Sequence, residues 1–261
     1  MRRFNLIEPQ RLVEEEVPAP EPGAGEAVIA VKCVGVCGSD IHAYYGEHPY
    51  ISCPIVPGHE FVGIVTKVGE GVDEGWLGKR VTVLPSLVCG KCYNCRNGRF
   101  NICQELRVIG CQSDGAFAEF VTVPADKLFS LPDDMSWEEA AIIEPLSVAV
   151  HAVRTAGEVV DRRVVVYGGG PIGLLVMQVA KAYGAREVIL SEPDSFRRSL
   201  AQKLGADYVL DPGTVQPSQW LLDKFGAEGI DLSFECVGIE ATMREAILSN
   251  RKGTTIVVAG V

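Results

Sequence analysis

Through the first half of the chain, apolar positions come in short β-branched runs set apart by Gly, Pro and Asp. The run Ala27-Val28-Ile29-Ala30-Val31-Lys32-Cys33-Val34 follows turn material at 18–25 and predicts a strand. Similar runs stand at 61–65, 80–84 and 117–123, so this part reads as several short strands closing into a compact, barrel-like β domain. Cys33 and Cys53 lie on or near these runs without a partner pattern and read as packing residues. From Ser136 the period lengthens. Residues 137–143 and 146–156 have helical composition, interrupted at Glu144-Pro145, with Ser136 as N-cap and Glu139 completing a capping box. His151, between Val150 and Ala152, reads as a packed core histidine. Beyond Arg163 the chain alternates: a strand at 164–167, an apolar helix at 174–183, then strands at 187–191, 208–210, 230–236 and 254–260. Such alternation predicts a parallel sheet with helices on its faces, and Cys236 falls within one of its buried strands.

Length and composition agree with that division. A chain of 261 residues is long enough for two domains, and 47% hydrophobic with 22% charged residues is the balance of an ordinary soluble globular protein. A net charge of −10 with no basic stripe argues against a nucleic-acid or anionic-membrane partner. The basic Met1-Arg2-Arg3 is followed by Asn5, Glu8 and Pro9, so no secretory leader is expected, and no apolar run is long enough to span a bilayer. Nine cysteines in such a chain point to metal ligation or free thiols in a reducing compartment, and the reading is cytoplasmic.

Candidate chemistry concentrates in three stretches. The first, 36–60, sets Cys37, Ser39, Asp40 and His42 just after an apolar strand, and His59 and Glu60 behind Pro57-Gly58, where the chain must turn. Thiolate, imidazole and carboxylate are the ligand types of zinc, and a site with three protein ligands leaves a position open for water or substrate. Singly, Cys37 would read as a small buried hydrophobe and His59 as a loop histidine; the combination points to a metal. The second stretch, LVCGKCYNCRNGRFNIC, spaces Cys89, Cys92, Cys95 and Cys103 by two, two and seven residues. Two-residue gaps let thiolates converge on one tetrahedral ion and the longer gap returns the fourth, which makes a closed, structural zinc site; an iron–sulfur cluster takes the same number of ligands. The third stretch is Gly168-Gly169-Gly170-Pro171-Ile172-Gly173, a GxGxxG turn placed between strand and helix. Gly168 permits the tight turn, Gly170 lets a pyrophosphate approach the backbone, and Gly173 lets helix and strand pack closely. Glu192, 19 residues beyond Gly173, stands where an acid binds the adenosine ribose and disfavours the extra phosphate of NADP, so NAD is expected even with Arg197 and Arg198 nearby. Glu144, an acid at a helix break in an apolar segment, needs a partner that metal coordination would supply.

In order and spacing, the motifs CGSDIH, PGHE, CxxCxxCx7C, IEPLSVAVHA and GGGPIG resemble the zinc-dependent medium-chain alcohol dehydrogenase family over the whole chain. Glu144-Pro145-Leu146-Ser147 is similar to the branch of sorbitol, other polyol, sugar-acid and threonine dehydrogenases. The resemblance implies an α/β chain: a GroES-like β-barrel catalytic domain over 1–152, a Rossmann dinucleotide-binding domain over 153–261, and an active site in the cleft between them. It implies two zinc ions, a catalytic one on Cys37, His59 and Glu60 with Glu144 as fourth or exchangeable ligand, and a structural one on Cys89, Cys92, Cys95 and Cys103. Asp40 would orient His59, and Ser39 and His42 would relay a proton. Gly168, Gly170, Pro171, Ile172, Gly173, Glu192, Arg197 and Val261 would contact NAD. The implied reaction is hydride transfer from a secondary alcohol of a small polyol or sugar acid to NAD. Threonine dehydrogenases of this kind carry a histidine just ahead of the first structural cysteine, and 84–88 has none, which ranks a polyol or sugar acid above threonine. The family continues past Val261 with a sixth Rossmann strand, used in dimerisation, and a returning tail. The expectation is therefore a truncated dehydrogenase with an open apolar edge at 254–260. A non-catalytic nucleotide-binding relative is the rival from another class, and the complete zinc-ligand and relay set weighs against it.

Overall fold

The computed structural model describes residues 1–260, so the expected cofactor contact at Val261 lies outside the described residues. The chain divides into two compact units, Met1–Glu144 and Pro145–Val261.

The first unit opens with a hairpin of β1 (Arg2–Glu8) and β2 (Arg11–Glu16). Then come β3 (Glu26–Val34), β4 (Phe61–Val68) and β5 (Arg80–Val83), a ribbon of β6 (Ser86–Leu87) with β7 (Arg107–Val108), and finally β8 (Phe120–Pro124) and β9 (Leu128–Ser130). An antiparallel sheet joins five of these in the order β8-β3-β4-β5-β9. Its last antiparallel run starts later than the 117 expected, because Phe117 and Glu119 pair instead with β1, through Phe4 N–H to Phe117 O and Glu119 N–H to Arg2 O. Alternating residues send Val121 and Val123 of β8 into one cluster with Ala27 and Ile29 of β3, Phe61 and Val65 of β4, and Val81 and Val83 of β5. Each Val, Ile or Phe so buried contributes about 1.5–3 kcal/mol. Three short helices complete the unit: α1 (Gly38–Tyr45), α2 (Tyr93–Arg96) and α3 (Trp137–Ala141). Ser136 caps α3 as foreseen, its hydroxyl accepting from Glu139 N–H while the Glu139 carboxylate accepts from Ser136 N–H.

The second unit alternates helix and strand: α4 (Ile143–Thr155), β10 (Arg163–Tyr167), α5 (Pro171–Ala182), β11 (Glu187–Ser191), α6 (Ser195–Lys203), β12 (Tyr208–Leu210), α7 (Pro217–Phe225), β13 (Leu232–Glu235), α8 (Glu240–Ser249) and β14 (Thr255–Val258). The helical break expected at Glu144-Pro145 falls at Ile142, which ends α3. Pro145 instead lies in the first turn of α4, where its missing N–H costs no intrahelical bond. Ala149, Ala152 and Val153 of α4 join the core of this unit, which is why the division between units precedes most of the helix whereas the sequence reading drew it at 152. His151 is exposed, not packed, because it stands on the face of α4 away from those residues.

All five strands are parallel, in the order β12-β11-β10-β13-β14. Their period of two divides the core: Val164, Val166, Val188 and Leu190 face one apolar layer, while Val165, Tyr167 and Ile189 face the other. The strand order reverses at β10, and in such sheets ligands bind beyond the carboxyl ends of the strands at that reversal. This is the GroES-like and Rossmann pairing expected from the sequence. Among the described residues, no helix is long and apolar enough to cross a membrane.

Candidate metal centres and nucleotide-binding turn

A single buried carboxylate joins the two ligand-bearing segments of the first unit. Cys37 is the extended N-cap residue of α1, and its N–H donates to Asp40 Oδ2 at 2.9 Å. The other oxygen of Asp40 accepts from Gly58 N–H at 3.4 Å and lies 3.8 Å from His59 Nδ1. Gly58 has φ +97°, and a Cβ there would meet the Phe117 ring at 2.5 Å, so the turn that delivers His59 and Glu60 requires glycine. On the far side, Gly35 N–H donates to Glu60 O at 2.7 Å, and the Glu60 carboxylate covers Gly35 so closely that a Cβ would meet Oε2 at 2.3 Å. Cys37, His59 and Glu60 thereby place one donor atom each within 4.8 Å of one another.

The charges in this cluster press on each other. Burial pushes the Cys37 thiol up to about 11, with Glu60 and Asp40 adding to the rise against a Ser39 N–H that opposes it. Burial likewise raises the carboxyls of Glu60 and Glu144. For His59 burial acts downward, but the contacts of Cys111, Asp40 and Glu144 outweigh it and hold the imidazole up at about 9. A half-buried thiol and carboxyls that resist ionising, set around an imidazole that its anionic neighbours hold in place, fit a divalent cation, which would satisfy them together. Donors in a tetrahedral zinc site stand about 3.3–3.8 Å apart, so the 4.8 Å cluster closes on an ion with small side-chain shifts. Glu144, in the first turn of α4, is near enough to act on His59 and Glu60 electrostatically but is not one of the three mutually close donors. Cys37 Sγ–H donates to Ser39 Oγ at 3.8 Å. His42, one turn further along α1, is exposed, with Nδ1 3.5 Å from Glu47 Oε2.

Sequence reasoning missed Cys111, whose Sγ lies 4.0 Å from His59 Nδ1 and is buried. The signal was in the count: of nine cysteines, it alone had been given no place.

The loop between β6 and β7 folds its four thiols together. Cys89 Sγ is 3.5 Å from Cys103 Sγ and 4.0 Å from Cys95 Sγ, which brackets the S···S spacing of about 3.8 Å around a tetrahedral zinc. Backbone N–H groups of Cys92, Cys95, Cys89 and Glu105 point at the sulfurs of Cys89, Cys92, Cys103 and Cys103 in turn, at 3.3–3.5 Å. Such donors favour thiolates: the N–H groups of Gln104 and Cys95 lower Cys92, and those of Cys89 and Glu105 lower Cys103, whereas burial raises Cys95.

In the second unit, Gly168 has φ +97° and turns the chain from β10 toward α5, which begins at Pro171 with Gly170 as its N-cap. No side chain caps this helix, so its first N–H groups can face an anion. A Cβ on Gly173 would meet Gly168 O at 1.9 Å, which is the close packing expected of that position. Glu192, buried at 3% exposure just after β11, accepts from Gly169 N–H at 2.6 Å and from Asp194 N–H at 2.9 Å. Arg197 Nη1 lies 3.9 Å from Glu192, while Arg198 is committed to the carbonyls of Glu192 and Pro193 and to Asp211.

These features define a zinc-dependent medium-chain dehydrogenase, and the chain belongs to that family. Residues 23–133 match the alcohol dehydrogenase GroES-like domain and residues 171–261 the zinc-binding dehydrogenase family. An L-threonine 3-dehydrogenase of Thermococcus kodakarensis is 39% identical over 248 residues, covering 94% of this chain and 71% of that protein. An L-idonate 5-dehydrogenase of Vitis vinifera is 36% identical, with 92% and 68% covered, and a sorbitol dehydrogenase of Bacillus subtilis is 33% identical, with 94% and 71% covered. Among solved structures, a zinc-binding dehydrogenase of Sinorhizobium meliloti 1021 bound to NADP superposes with TM-score 0.95 at 35% identity, over all of this chain and 76% of that one. An alcohol dehydrogenase of Escherichia coli CFT073 complexed with NADH gives 0.93 at 34%, again with 100% and 76% covered.

Proposed function

We propose that this dehydrogenase moves a hydride from a secondary alcohol of a polyol or sugar acid to NAD. The observation that carries the reading is the convergence of Cys37, His59 and Glu60 on one point, in a unit that also holds a closed four-thiol loop. Zinc bound to the first set would polarise an alcohol oxygen as a Lewis acid, and NAD would supply the hydride acceptor. Cys37, His59 and Glu60 hold the metal, and Glu144 stands by as an exchangeable ligand. Asp40 engages the Nδ1 side of His59, which leaves Nε2 for the ion. Ser39, beside the Cys37 sulfur, and exposed His42 lie three residues apart on one face of α1 and carry the alcohol proton outward, with Glu47 next to His42. Cys89, Cys92, Cys95 and Cys103 hold the second zinc and stabilise their loop.

Gly168, Gly170, Pro171, Ile172 and Gly173 cradle the pyrophosphate of NAD, with Glu192 and Arg197 at the adenosine ribose. The unit ending at Glu144 then acts as the catalytic domain and the one beginning at Pro145 as the nucleotide domain. All nine cysteines are free, which suits a reducing, cytoplasmic setting.

The sorbitol and idonate dehydrogenases among the relatives support a polyol or sugar acid, and the threonine 3-dehydrogenases support the second reading, L-threonine. The test is NAD reduction by the zinc-loaded chain against a panel of polyols, aldonates and L-threonine, with Cys37→Ser as the dead control. Turnover highest on a polyol or aldonate is expected. L-Threonine outpacing them all would transfer the assignment to that substrate, and no turnover on any alcohol would sink the enzymatic reading.

A further inference from the structure

Two buried acids stand at the carboxyl ends of the parallel sheet, and only Glu192 has a part in the reading above. The second is Glu235, the last residue of β13, with no exposed surface. Burying a carboxylate costs several kcal/mol unless donors surround it. Here the donors come from one place. Glu235 Oε1 accepts from Val237 N–H at 2.9 Å, Gly238 N–H at 3.0 Å and Thr242 Oγ1–H at 2.7 Å. Oε2 accepts from Gly238 N–H at 3.1 Å. The backbone carbonyl of the same residue accepts from Ala259 N–H at 2.7 Å and Gly260 N–H at 2.9 Å. One residue therefore fixes the turn after β13, the first turn of α8 and the turn after β14.

These turns also pack against the glycine turn. A Cβ on Gly168 would meet Val237 Cγ2 at 2.6 Å, and one on Gly260 would meet Gly238 N at 2.1 Å, so the segments touch without slack. A dinucleotide lies across the strand-order reversal at β10, one half on each side. With Glu192, after β11, at the adenosine side, the half with the nicotinamide would fall on the side of β13 and β14. The chemistry of the two sides differs accordingly. At α5 the first N–H groups are left uncapped for a phosphate, whereas at Val237 and Gly238 the carboxylate of Glu235 already occupies the amides.

We propose that Glu235 is a positioning residue for the nicotinamide half of the cofactor, its carboxylate acting by fixing the Val237-Gly238 turn and the start of α8 against the glycine turn. This rests on the dinucleotide reading of the second unit. The experiment is titration calorimetry on the whole chain with NADH and with ADP-ribose, which keeps the adenosine, pyrophosphate and second ribose but lacks the nicotinamide. Glu235→Gln is expected to weaken NADH about tenfold while leaving ADP-ribose within about twofold. Thr242→Val deletes a single donor to the same carboxylate and is expected to move NADH the same way by a smaller factor; it decides the matter if Glu235→Gln does not fold. Equal weakening of both ligands, or of neither, overturns the proposal. A wild-type chain that binds neither ligand overturns the dinucleotide reading itself, an outcome visible before any variant is made.

Discussion

At the scale of residues, Asp40 and Gly35 shape the cluster of Cys37, His59 and Glu60 without being among its three donors. Asp40 bonds Cys37 N–H and Gly58 N–H and lies against His59, so Asp40→Asn loses the charge that orients the imidazole. Chelator competition is expected to show zinc affinity at that site reduced about 10–100-fold, with the four-thiol loop still loaded. Gly35→Ala drives a methyl into Glu60 Oε2, and is expected to lower the zinc count from two toward one per chain by native mass spectrometry. An unchanged count for Gly35→Ala would mean that Glu60 does not bind the metal. The ligand types were readable from the sequence because CGSDIH, PGHE and the cysteine spacing are local patterns. Cys111 was not, since the imidazole it touches is 52 residues away and no local pattern marks it.

At the scale of elements, the fit of α5 against β10 depends on Gly173, whose missing side chain lets the helix sit on Gly168 O. Gly173→Ala is expected to cost about 1–3 kcal/mol in urea unfolding and to abolish NADH binding. The start of α3 is pH-sensitive. Ser136 N–H and hydroxyl hold the Glu139 carboxyl below its ordinary value of 4.5, so the cap is intact above pH 4.5 and is lost as pH falls through the lowered value. The protection of the Ser136 amide against exchange, relative to its intrinsic rate, is expected to fall only below about pH 4.5 between pH 6 and 3; loss of protection already at pH 6 would contradict the cap. The strands and long helices of the second unit were legible because their periods are strong. Helix α1 was not. It is eight residues long, its N-cap is a cysteine, and Asp40 closes the cap from the third helical position. Nor was the break at Ile142 legible, since proline is the louder signal even where, in a first turn, it breaks nothing.

At the scale of the molecule, the two units have separate cores, and both candidate metal clusters lie in the first. Stripping zinc is expected to lower the thermal transition of the first unit by about 3 kcal/mol or more relative to saturating zinc, and to leave that of the parallel sheet in place. Calorimetry with and without chelator reads both transitions, and a matching fall in the second would contradict the separation. The pairing of β1 has a further consequence, in time. Its residues meet Phe117 and Glu119, and the Arg2–Glu119 bonds span 117 positions of sequence. A ribosome adding about 5–20 residues per second needs roughly 6–23 s to cover that gap. By the end of that interval Cys37, His59, Glu60 and the thiol loop have all been made, while β1 has only just gained its partners at Phe117 and Glu119. These proposed zinc ligands are therefore all on the chain before the 117–119 segment closes on β1, its partner from the opposite end of the unit.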